Sequence, residues 1–206
     1  MFYELIILGT LMGGPSYGHL IAKIVQNITG PYGKISKGRL YPLLTRLEEA
    51  GLIAAEPDAE PDGDQDNGRP RIPSHRYRIT TAGQQRFHAL MMDTTSYLGD
   101  YPKVFIQKVA RFSFLHPVER VHLIEHYIAY CDTLVSYGTA RAAALSDTGR
   151  DWRDRSGMTS AQLADLDTVM RHTIDHWQRE RVWAEGLRAH VAVSMAPTDR
   201  TVGETS

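Results

Sequence analysis

Leu5, Ile6, Leu8, Leu11 and Met12 make the opening of the chain apolar on nearly every side of a helix. Gly13-Gly14-Pro15 then ends that helix, because glycine frays it and proline cannot continue it. Ser16 is placed to cap a second helix whose inner face is Leu20, Ile21, Ile24 and Ile28. After a turn at Gly30-Pro31-Tyr32-Gly33, Ser36 can cap a third helix with Leu40, Leu43, Leu44 and Leu47 inward and Gly51 as its stop. There the period changes. Leu52 to Ala55 is a short apolar strand, a polar loop follows, and His75-Arg76-Tyr77-Arg78-Ile79 alternates as a half-buried strand does. Three helices, a strand, a long loop and a strand predict a winged helix-turn-helix in a mainly α protein.

Beyond the wing every apolar pattern is helical. Thr81-Ala82-Gly83-Gln84 has capping-box spacing and opens a helix into the 90s, and Gly99-Asp100-Tyr101-Pro102 reads as a hinge. The expected division is a winged domain over 1–98, a helical domain over 99–195 and a disordered tail over 196–206. A helix over about 103–115 precedes Pro117, which suits a first helical position. Val121, Ile124, Ile128, Cys131 and Val135 then recur at threes and fours. A second capping box, Thr159-Ser160-Ala161-Gln162, opens a helix carrying Leu163, Leu166, Met170, Thr173, Trp177, Ala184 and Leu187 in the same rhythm. Two such stripes joined by a polar loop predict an antiparallel helical pair. One pair leaves apolar surface uncovered, so a homodimer is expected, with Val121, Ile124, Ile128, Leu166, Met170 and Trp177 as dimerisation positions.

Composition narrows the classes. No run of eighteen apolar residues occurs in the 206, so no spanning helix is expected, and a single cysteine, Cys131, excludes an intrachain disulfide. The start lacks a basic segment, and a cytoplasmic protein without cofactor is expected. The formal net charge of −1 conceals segregation. Lys34, Lys37, Arg39 and Arg46 form one basic cluster, and Arg69, Arg71, Arg76 and Arg78 another, with an acidic stretch from Glu56 to Asp66 between them. A DNA binder need be basic on one face only.

The third helix has the make-up of a recognition helix. Ser36, Lys37, Gly38, Arg39 and Tyr41 lie at its start while leucines face inward. Arg39 can fork onto a guanine edge, Lys37 can meet a phosphate, and Gly38 lets the backbone come close. Pro42 breaks the pattern, since inside a helix it costs on the order of 3 kcal/mol. Either the helix starts later or it bends there. At the wing, Gly68-Arg69-Pro70-Arg71 suits phosphate or minor-groove contact.

These segments resemble the PadR-type transcriptional regulators. The resemblance lies in Gly14-Pro15-Ser16-Tyr17-Gly18, Ile35-Ser36-Lys37-Gly38-Arg39-Leu40-Tyr41-Pro42, Leu47-Glu48-Glu49-Ala50-Gly51-Leu52-Ile53 and Tyr77-Arg78-Ile79-Thr80-Thr81-Ala82-Gly83. It covers roughly residues 1 to 90. It implies a homodimer that binds a pseudo-palindromic operator, usually as a repressor, through Tyr17, Lys34, Ser36, Lys37, Gly38, Arg39 and Tyr41, with Arg69, Arg71 and Arg76 from the wing. It also implies release by a small aromatic effector in several members. The long acidic wing and the segment Ile72-Pro73-Ser74-His75 depart from that pattern.

Two rival readings have sequence support. His122-Leu123-Ile124-Glu125-His126 spells the His-x-x-Glu-His motif of one metallopeptidase class, a hydrolase reading that needs a third zinc ligand. A winged helix can also bind protein rather than DNA, which the acidic loop would favour. Cys131 on its apolar stripe reads as a small buried side chain, and Trp152, Trp177 and Trp183 read first as packing residues.

Overall fold

Helix α1 (Phe2–Met12) forms the centre of the N-terminal unit because it is apolar all round: Leu5, Ile6, Ile7, Leu8 and Leu11 are all buried. The computed structural model describes residues 2–29, 37–56, 75–96, 98–147 and 158–195. The chain divides into two compact units, Met1–Leu115 and His116–Ser206.

In the first unit, α1 packs against α2 (Gly18–Thr29), α4 (Thr81–Met92) and α5 (Tyr101–Val109). α3 (Lys37–Glu49) lies against α2 and points Leu40, Leu44 and Leu47 into the core. The expected inner face of α2 is rotated. Ile21 and Val25 are fully buried, whereas Leu20 is 41% exposed. Pro42 does sit inside a continuous α3, so a late helix start is ruled out. It leaves the Gly38 carbonyl without its i+4 amide, on the exposed side where water can take that bond.

The end of α3 is a Schellman cap. Gly51, at φ +69°, donates its N–H to the Glu48 carbonyl (2.8 Å), and Leu52 donates to that of Leu47 (2.9 Å). The chain thus turns directly into the sheet, which has three strands. β1 (Ser16–Tyr17) pairs with β3 (Arg76–Ile79), which pairs with β2 (Ile53–Glu56), both antiparallel. Ser16 is therefore a strand residue opposite Tyr77 and not the cap of α2. The side of β3 away from β2 takes up the backbone groups of β1, and just beyond it the Gly18 N–H donates to the His75 carbonyl at 3.2 Å.

Thr80, one residue before the expected capping box, is the N-cap of α4. Its hydroxyl accepts from the Gly83 N–H (3.0 Å) and lies 2.6 Å from the Gly51 carbonyl and 3.0 Å from that of Leu52. One side chain thereby ties the end of α3 to the start of α4. α5 begins at Tyr101 with Pro102 in its first turn, ends at Val109, and is followed by a 3₁₀ turn (Phe112–Phe114). All of these lie in the first unit, past the hinge expected near residue 99. Lys108 and Arg111 are buried there. Arg111 donates from Nη1 to the Gln107 carbonyl (2.8 Å) and side-chain oxygen (3.1 Å), and its stem presses on Gly9, where a side chain would collide with it. Burial pushes its guanidinium pKa down.

The second unit is one helical pair. α6 (Pro117–Asp147) begins on Pro117 as expected. α7 (Ser160–Met195) begins on the capping box, with Gln162 N–H to Thr159 Oγ1 at 3.3 Å and Thr159 N–H to Gln162 Oε1 at 2.8 Å. Contacts run in opposite senses. Tyr127 meets Glu180 and Trp183, Tyr130 meets Trp177, and Gly138 lies against Ile174, so the pair is antiparallel. Tyr127 is fully buried and donates its hydroxyl to Glu180 at 2.8 Å; burial, then that carboxylate, raise its pKa. Tyr127→Phe is expected to cost about 2 kcal/mol, the scale of a hydrogen bond to a charged group, and denaturant unfolding followed by tryptophan emission measures it.

Candidate nucleic-acid interface

The outer face of α3 is set by its inner one. With Leu40, Leu44 and Leu47 buried, the same helix leaves Gly38, Arg39, Tyr41, Thr45 and Arg46 exposed. Tyr41 is 42% exposed, its ring open to contact from outside. Lys37 opens the helix.

Gly18 brings the other side of this surface into register. A Cβ there would lie 3.4 Å from the Tyr77 ring, 3.5 Å from the Tyr41 ring and 3.7 Å from Leu44. The β1–α2 corner thus nests between β3 and α3, and Tyr17 stands next to Gly18 at that corner. Across the strand pair Tyr17 faces Arg76, so Tyr17, Tyr41 and Arg76 all border the Gly18–Tyr77 contact. Tyr77 itself is buried, which raises its pKa, with Glu48 and Tyr41 adding to the effect. Arg78 is paired with Glu56 at 3.4 Å.

Of the residues expected at this surface, Tyr17, Tyr41 and Arg76 border one contact, while Gly38 and Arg39 are exposed on the first turn of α3. Lys34, Ser36, Arg69 and Arg71 lie outside the described residues, as does the side chain of Lys37. His19, which the sequence reading passed over, stacks on Tyr17 with ring centroids 5.7 Å apart and planes at 23°. Its signal is visible only once Ser16–Tyr17 is known to be a strand.

Elsewhere, Ile124 is already buried within one chain, while Val121, Ile128, Leu166, Met170 and Trp177 are half-buried. The more exposed apolar residues of the pair, among them Tyr137, Val169 and Val182 at 60–65%, were not on the expected stripes. In the first unit a cleft of about 550 Å³ opens between the first turn of α1, the end of α2 and α5, with Phe2, Tyr3, Ile28, Val104 and Gln107 among its walls. His122 is exposed on α6, and among the described residues no group of three His, Cys, Asp or Glu side chains is placed to hold a metal ion. No described helix is long and apolar enough to cross a membrane.

Residues 7–89, from α1 through most of α4, match the model of the PadR-like transcriptional regulator family. The N-terminal domain is PadR-like. No curated protein sequence matches the chain. Solved structures that align with it include Bacillus subtilis PadR in complex with operator DNA, at 17% identity over 91% of this chain and 96% of that one, with a TM-score of 0.38. The same protein in complex with p-coumaric acid aligns at 18% identity over 93% and 99%, with a TM-score of 0.37. A PadR-like regulator from Bacillus cereus aligns at 17% over 93% and 99%, with a TM-score of 0.34. The likeness to that family lies in the sequence of residues 7–89.

Proposed function

We propose that this PadR-like protein is a sequence-specific DNA-binding repressor of the cytoplasm, not an enzyme, that grips a pseudo-palindromic operator as a homodimer and lets go on binding a small aromatic effector. The observation that carries the reading is the exposed outer side of α3, with Gly38, Arg39 and Tyr41 outside, Leu40, Leu44 and Leu47 inside, and Tyr41 bordering the corner that holds Tyr17. Arg39 supplies the planar fork that reads guanine, Lys37, Lys34 and Ser36 meet the DNA backbone, and the N-terminus of α3 favours an anion. Arg69, Arg71 and Arg76 extend the contact along the wing. Glu48 and Glu49, at the far end of α3, are held away from the DNA.

The helical region dimerises through the exposed and half-buried apolar side chains of α6 and α7, and pairs two winged domains with two half-sites. For the effector, Bacillus subtilis PadR has been solved with p-coumaric acid. The α1–α2–α5 cleft here has a volume within the ~300–1,000 Å³ of small-molecule sites, and an aromatic wall at Phe2 and Tyr3.

Exchanging both Lys37 and Arg39 for alanine is expected to weaken operator binding about a hundredfold, as the loss of one base-edge fork and one phosphate contact implies, while the dimer persists. Gel-shift titration beside sedimentation of both proteins reads the two outcomes. Undiminished DNA binding by the double variant would rule out docking by α3 and favour a protein-interaction role for the winged domain.

A further inference from the structure

The stack of His19 on Tyr17 does nothing for the core, since the His19 side chain is exposed. It comes from the backbone. In a continuous strand, residues 17 and 19 would share a face some 7 Å apart. Here the strand stops at Tyr17, the Gly18 N–H is tied to the His75 carbonyl at 3.2 Å, and α2 begins, so the two rings are folded nearly parallel at 5.7 Å.

The groups nearest His19 on its own element and on the facing strand are basic, while Glu48 acts on Tyr77 from behind the corner. α2 carries no acidic residue, and Lys23, one helical turn beyond His19 on the same face, is exposed. β1 contributes only Tyr17. β3 contributes Arg76, opposite Tyr17, and Arg78, already paired with Glu56, and it is preceded by His75, which stands edge-on to Tyr77 at 6.4 Å. From α3 come Arg39, Tyr41 and Arg46, with Glu48 and Glu49 at its far end, and Lys37 at its start. From α1 come Tyr3 and Glu4, the latter held by Arg86 at 2.7 Å.

We infer that His19 is a positioning residue and a phosphate contact of the DNA-binding surface: its ring fixes that of Tyr17 at the edge of the interface, and its protonated imidazole meets the DNA backbone beside it. This rests on the DNA-binding reading above. Two consequences are separable, because one needs only a flat ring at position 19 and the other needs the charge. Histidine is the side chain whose charge ordinarily changes between about pH 5 and 8, so the charged contact makes operator affinity proton-linked.

The test is a fluorescence-anisotropy titration of a labelled duplex from the protein's own promoter, or one selected from random DNA, with full-length wild type, His19→Phe and His19→Ala at about pH 6 and about pH 8 and constant ionic strength. Wild type is expected to bind about threefold to fivefold tighter at the lower pH, the scale of one exposed ionic contact. His19→Phe keeps the stack and should hold the wild-type affinity at the higher pH while losing that ratio. Its salt slope at the lower pH should fall by about one, as for one phosphate. His19→Ala should be weaker than His19→Phe at both pH values. The inference is overturned if His19→Phe retains the wild-type pH ratio and salt slope, or if His19→Ala binds like wild type throughout. Wild type that binds no duplex at either pH overturns the DNA-binding reading itself, and this inference with it.

Discussion

Gly83→Ala is expected to destabilise the N-terminal unit by on the order of 3 kcal/mol, the upper end of what overpacking a filled site costs. A Cβ at Gly83 would run into the Leu52 carbonyl oxygen, and would lie 2.7 Å from Ile79 Cγ1 and 3.0 Å from the Leu52 carbonyl carbon. A flexible side chain could swing aside. The Leu52 carbonyl cannot, because it accepts from the Thr80 N–H at 3.0 Å and lies within hydrogen-bond reach of the Thr80 hydroxyl. Relief would require moving the first turn of α4, which would stretch the Thr80 cap on Gly83 and loosen the seam that sets α3 against the sheet. The variant should therefore lose stability and operator affinity together. All three tryptophans, Trp152, Trp177 and Trp183, lie in the second unit, so circular dichroism rather than indole emission should follow the transition. Unfolding indistinguishable from wild type would mean that the Gly83–Leu52 approach is not as close as described.

The second large effect is a dependence on pH that runs opposite to the one expected of a paired lysine. Lys108 is fully buried. Its ammonium donates to the Asp93 carbonyl at 2.5 Å, at the C-terminal end of α4, and sits 5.9 Å over the Tyr101 ring. Burial outweighs the attraction of the Asp93 charge and brings the Lys108 pKa from 10.5 to about 8. Asp93 is kept ionised, at about 2, by hydrogen bonds from Ser96 and Thr95. As pH rises through about 8 the folded protein releases the Lys108 proton, while the unfolded chain holds it to about 10.5. Between those values the unfolded state binds more protons, so stability rises with pH, by on the order of 3 kcal/mol across the window. Below about 8 both states are charged and that contribution is absent. Lys108→Met lacks the group, so its denaturant stability should fall behind wild type progressively through this window. Parallel curves for the two proteins would show that Lys108 is solvated and not buried as a charge.

Long periodic elements were legible in the sequence and short, non-local ones were not. α3, α6 and α7 announce themselves through leucine spacing, Pro117 and the Thr159–Gln162 box, all set by interactions within a few residues. β1 has two residues, too few for an alternation to appear, and it exists only because β3, some sixty positions later, has an edge to pair. The capping-box spacing falls on Thr81, whereas the cap is Thr80, whose hydroxyl takes the Gly83 N–H and also lies 3.0 Å from the Leu52 carbonyl. On α6 the expected stripe held Ile124 and Cys131 but missed Leu123 and Tyr127, since a tyrosine can go fully inside only where a partner such as Glu180 takes its hydroxyl. Nothing in the sequence marks Lys108 and Arg111 as buried, because their acceptors, backbone carbonyls and a glutamine, carry no charge signal. At the interface, the basic start and leucine back of α3 marked Gly38, Arg39 and Tyr41. The His19 stack stayed hidden, as it depends on the strand–helix corner.

Sequence reading by the α3 surface is tested most directly by titrating the protein against its own promoter duplex, with excess unrelated DNA and a series of salt concentrations. Binding that survives the competitor, with log K falling linearly and steeply as log salt rises, is the predicted result. Binding that vanishes under competitor, on the promoter and again on duplexes selected from random sequence, would contradict it.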